Sequence, residues 1–122
     1  MVSPMRMDLR RLACVLVVVA GCGTSPDERP ATLEVISLSI LAPTCGQVQC
    51  HSSSTKIQGY AFDTLAGAKE ALRDLVGPGG MRQELMRVLN EDGDKRMPAD
   101  APLDEKDIAL IQAWIDDGAP GL

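Results

Sequence analysis

Apolar residues recur along this chain at helical rather than strand spacing. Leu33, Ile36 and Ile40 share one face of a 3.6-residue period, although Ile36, Leu38 and Ile40 also alternate with Ser37 and Ser39. The helical period predicts a first helix over 33–41. A clearer one follows: Asp63 is a suitable N-cap, Leu65, Ala68, Leu72 and Val76 keep the period, and Gly77-Pro78 supplies a stop. Met81, Leu85 and Val88 form a third stripe, beside Met86 and Leu89, that fades in Asn90-Glu91-Asp92-Gly93-Asp94. Asp104 with Asp107 opens a last helix, striped by Ile108, Ile111 and Ile115 with Leu110 and Trp114 alongside, and Gly118 and Pro120 end it. No comparable strand, hairpin or repeat pattern occurs, so the expected fold class is all-α.

The start of the chain has a different pattern. Arg6, Arg10 and Arg11 precede an unbroken apolar run, Leu12 to Ala20, which closes on small residues, the order of a secretion signal. That run is far shorter than the roughly 20 residues of a bilayer-spanning helix. Val19-Ala20-Gly21-Cys22 follows at once and resembles the lipobox of bacterial lipoproteins. The resemblance implies cleavage before Cys22 and lipid on its sulfur, with several acyl chains anchoring the protein to a bilayer on the periplasmic side or at the outer membrane. The expected domains are then a signal peptide at 1–21, a flexible polar tether with two prolines at 22–30, and one folded domain at 31–122.

Removing 1–21 leaves nine Lys and Arg against sixteen Asp and Glu. So acidic a chain is unsuited to nucleic acid, which needs a basic face. Only Tyr60, Phe62 and Trp114 are aromatic, a thin apolar supply for a domain of this size. Asn90, Asp92 and Asp94 alternate like calcium ligands, but Lys95 stands where the loop needs glycine and Ala101 where it needs glutamate.

The remaining chemistry is concentrated in one motif. Cys14 leaves with the signal and Cys22 takes the lipid, so Cys45 and Cys50 are the only thiols left in an oxidising compartment. They lie in Cys45-Gly46-Gln47-Val48-Gln49-Cys50-His51, directly before the sole histidine. Read from residues alone, the pair could form a disulfide or carry a cofactor. Zinc would need more ligands than two thiols and one adjacent imidazole.

The motif resembles the haem attachment site of c-type cytochromes. Four residues separate its cysteines, more than in the common form of that site. Met97-Pro98-Ala99-Asp100, Pro102-Leu103-Asp104, Trp114-Ile115 and Gly118-Ala119 resemble the closing half of small cytochrome c domains in exported planctomycete and myxobacterial proteins. The resemblance implies a small helical domain with long loops around one covalent haem c. Cys45 and Cys50 would form thioethers, and His51 and Met97 would be the axial iron ligands. That haem would also supply apolar volume to the thin core. In that family a glycine of the first helix crosses an aromatic of the last; Trp114 is present, but 33–41 has no glycine. The implied function is single-electron transfer to an unidentified redox partner, without a catalytic site of its own. The alternatives are a haem-free interaction module with a Cys45 to Cys50 disulfide, and a haem sensor or accessory subunit of an oxidoreductase.

Overall fold

Thr32 starts the first helix: its backbone is extended and its side-chain oxygen accepts the Val35 N–H at 3.3 Å. The computed structural model describes residues 27–76 and 82–122. The expected signal segment 1–21, Cys22, the first part of the expected tether, the expected Gly77-Pro78 stop and Met81 lie outside the described residues. Helix α1 runs over 33–44 in three stretches, α-helical at Leu33–Ile36, a wide π turn at Ser37–Leu41, and α-helical again at Ala42–Thr44. It therefore outruns the expected 33–41 and passes through Pro43. Proline removes one ladder donor and crowds the carbonyl four residues back. The π turn just before it shifts the register, with Ala42 N–H donating to Ser37 C=O five residues earlier.

A 3₁₀ turn at Ile57–Gly59 precedes α2 (Leu65–Val76), α3 (Arg82–Asn90) and α4 (Glu105–Asp116). Among the described residues the chain is helical and has no strand. None of these helices is long and apolar enough to cross a membrane. The π segment of α1 lies on α2, α2 packs on α3, α3 on α4, and the first turn of α1 on α4. One core joins Leu33, Ile36, Ile40 and Leu41 of α1 to Leu72 and Val76 of α2, Leu85 and Leu89 of α3, and Ile111 and Trp114 of α4.

The cap of α2 is Thr64, whose hydroxyl accepts the Gly67 N–H at 3.1 Å. Asp63 is not that cap, because its carboxylate accepts the Ser53 hydroxyl at 2.7 Å. Asp104 does cap α4, accepting the Lys106 N–H at 2.8 Å. Asp107 does not turn back to that cap; its carboxylate meets Arg29 at 2.6 Å. Arg29 also binds Asp27 at 2.6 Å, and these hydrogen bonds hold the Asp27 carboxyl down at about 2. The last residues of the expected tether are thereby tied to the domain.

Helix α4 ends in two nested bonds, Gly118 N–H to Ile115 C=O and Ala119 N–H to Trp114 C=O, each 3.0 Å. Gly118 supplies the positive φ of 93° that this reversal requires. The returning chain accepts the Trp114 indole N–H on Pro120 C=O at 3.1 Å, so the largest core side chain is buried with its polar atom satisfied.

Ser37 is the small residue on the buried face of α1, only 1% exposed, and its hydroxyl has no hydrogen-bond partner among the described residues. An unsatisfied buried hydroxyl costs about 1–3 kcal/mol of desolvation. Ser37→Ala is expected to raise stability by about 1 kcal/mol in urea unfolding followed by circular dichroism. A comparable loss would mean that the hydroxyl is satisfied in solution.

Candidate functional site

Helix α1 delivers the thiol motif directly. Its last carbonyls are closed by Cys45 N–H and Gly46 N–H, both donating to Leu41 C=O, at 2.7 and 3.0 Å. Gly46 then passes against the chain before α2: a β-carbon there would sit 2.8 Å from the Asp63 backbone and 2.7 Å from Ala42 C=O. Any larger residue would push the motif loop away from the domain.

The loop itself is closed by backbone bonds. Cys50 N–H donates to Gln47 C=O at 2.9 Å, and His51 N–H returns to Cys45 C=O at 3.0 Å. Gln47, Val48 and Gln49 consequently bulge into solvent, with Val48 72% exposed, while Cys45, Cys50 and His51 stay half-buried. The longer spacing is thus taken up by an outward bulge. Val48 C=O anchors that bulge by accepting the hydroxyls of Ser52 and Thr55.

Both thiols are free. Cys45 packs against the core, and burial pushes its thiol above the ordinary range; the neighbouring Cys50 and Asp100 add to the rise, against a lowering contact from Thr44. Asp100 belongs to the Met97-Pro98-Ala99-Asp100 loop, which lies between α3 and α4.

His51 is held on three sides. Its C=O accepts the Phe62 N–H at 2.7 Å, and its ring lies edge-on to Phe62 with centroids 5.6 Å apart. Tyr60 stands at 6.4 Å from it. Its Nδ1 is 2.8 Å from Ile57 C=O. A carbonyl can only accept, so Nδ1 donates, and in the neutral ring the lone pair is then on Nε2, the tautomer a metal ligand requires. The turn that aims this carbonyl is strained, with positive φ at Lys56 (46°) and Gln58 (58°) as well as at Gly59. Nothing in the sequence pattern signalled Ile57, because a backbone carbonyl has no side-chain signature.

Met97 is half-buried in the loop between α3 and α4, and its N–H donates to Val88 C=O at 2.8 Å. Leu103, buried, pins the far end of the same loop. A cleft of about 310 Å³ opens beside the 56–59 turn, bounded by Lys56, Tyr60, Thr64, Glu70 and Asp74; none of Cys45, Cys50, His51 or Met97 lines it.

Among the described residues no three His, Cys, Asp or Glu side chains converge as a metal-binding group. The chemistry of the donor set instead fits a haem: two thiols on one short loop, a neighbouring imidazole oriented through Nδ1, and a half-buried thioether on the loop between α3 and α4. No family model, curated protein or solved structure matches this chain.

Proposed function

We propose that this protein is an exported, lipid-anchored c-type cytochrome that binds one haem covalently and transfers single electrons outside the cytoplasm. The observation that carries the reading is His51: adjacent to Cys50, closed onto Cys45 by its own N–H, and oriented through Nδ1 by Ile57 C=O. A ligating histidine needs its second nitrogen held in this way, which fixes the ring and raises its basicity.

Cys45 and Cys50 would hold the haem covalently, and His51 Nε2 and the Met97 thioether would ligate its iron. When bound, the haem supplies a one-electron iron couple. The chain would set the potential of that couple through those two ligands. A soft thioether ligand together with an imidazole would favour the reduced iron relative to ligation by two imidazoles. No group of the chain is assigned a catalytic step, and the acidic surface favours a redox partner with a basic docking patch.

Covalent haem tests this reading. Protein made in a host with cytochrome maturation machinery should show the mass gain of one haem and a reduced-haem spectrum. A chain that instead loses the mass of a hydrogen pair, with no haem, would support the disulfide-bearing interaction module, which the closure of the loop from His51 N–H onto Cys45 C=O is also compatible with. Lipid on Cys22 is tested separately: an acyl-chain analogue should label wild type in cells and fail to label Cys22→Ser. Equal labelling would refute the anchor.

A further inference from the structure

The two thiols share a loop but are presented differently. Cys45 stands one residue beyond α1, packs against the core, and has its Sγ 3.5 Å from the Thr44 hydroxyl. Its backbone is fully engaged too, with its N–H on Leu41 C=O and its C=O receiving His51 N–H. Cys50 lies outside that packing, at the end of the turn whose preceding residues Gln47, Val48 and Gln49 are all exposed. Cys50 is half-buried as well but is not among the side chains packed on the core, so reaching it leaves those contacts in place, whereas reaching Cys45 requires shifting them.

We propose that the two thiols react in a fixed order, Cys50 first and Cys45 second. The first bond is bimolecular and goes to the accessible sulfur. Once made, it holds the reactant beside Cys45, and the second bond gains from the high effective concentration of a tethered partner. The buried thiol can then react despite its poor access. For haem, whose identity as the reactant rests on the proposed function, each step adds S–H across one vinyl double bond. Sulfur bonds to one carbon, the thiol hydrogen goes to the other, and no electrons are gained or lost overall. The order follows from the fold and applies to any thiol-reactive group that approaches from solvent.

The test uses the reduced, haem-free full chain and limiting iodoacetamide, with each site followed by peptide mass. Cys50 should be alkylated at least about tenfold faster than Cys45 in the native protein, and the ratio should collapse toward unity in urea. Equal rates in the native protein, faster modification of Cys45, or a ratio unchanged by urea would each overturn the proposal. In a host that attaches haem, Cys45→Ala should retain a single thioether at Cys50, and Cys50→Ala should carry much less covalent haem; the reverse ranking would also overturn it. The alkylation arm involves no haem, so failure of the cytochrome reading and failure of the reaction order give different results.

Discussion

His51→Ala is expected to abolish stable haem incorporation while leaving the helical fold in place. The ring is half-buried at the motif loop, where it meets Phe62 edge-on, stands near Tyr60 and bonds Ile57 C=O at an exposed position, so its loss should cost little core packing. The backbone bonds that close the loop, His51 N–H to Cys45 C=O and Phe62 N–H to His51 C=O, survive the substitution. Even perturbing a group that orients a ligand lowers metal affinity by about 10–100-fold, and removing the ligand itself should do at least as much. The measurement is haem content per chain by absorbance, alongside far-ultraviolet circular dichroism for the fold. Normal haem content in His51→Ala would refute the proximal assignment. Met97→Ala separates the distal role: it should keep covalent haem, lose the weak far-red sulfur-to-iron band of the oxidised protein, and show a lowered potential. Retention of that band and of the wild-type potential would remove Met97 from the iron. Met86→Leu provides the contrast, because Met86 packs against the core from α3 and should leave the band untouched.

Trp114→Ala should produce the largest loss of stability. Trp114 is fully buried where α4 meets the rest of the core, and its indole N–H ties the C-terminal reversal at Pro120 to the helix. Truncating a buried tryptophan costs about 3–5 kcal/mol, a large share of the 5–15 kcal/mol that stabilises a typical domain. The variant is therefore expected to be partly or wholly unfolded at room temperature, as read by circular dichroism in urea. Trp114→Phe should lose much less, since it keeps an aromatic plate and gives up mainly the bond to Pro120. A Trp114→Ala chain within about 1 kcal/mol of wild type would mean that this core collapses around the gap or does not depend on the indole.

The helices were legible in the sequence because their signals are local. The stripes of Leu65, Ala68, Leu72 and Val76 and of Ile108, Ile111 and Ile115 repeat with the period of the backbone itself, and Asp104 caps α4 from within its own turn. That Cys45, Cys50 and His51 share one loop was legible for the same reason, because they are sequence neighbours. What only the tertiary structure decided depends on partners that no local pattern encodes. Asp63 gives up the cap of α2 to Thr64 because Ser53 claims its carboxylate, and Arg29 ties the segment before α1 to the domain because Asp107, 78 residues away, faces it. The passage of α1 through Pro43 needs a π turn, and the need for glycine at position 46 comes from the backbone of Asp63 passing beside it. The protonated nitrogen of His51 is likewise set from outside the motif, by Ile57 C=O on a strained turn. Periodicity and residue type report what a segment can form or bind, whereas the assembled fold selects which hydrogen-bond partner each polar group meets.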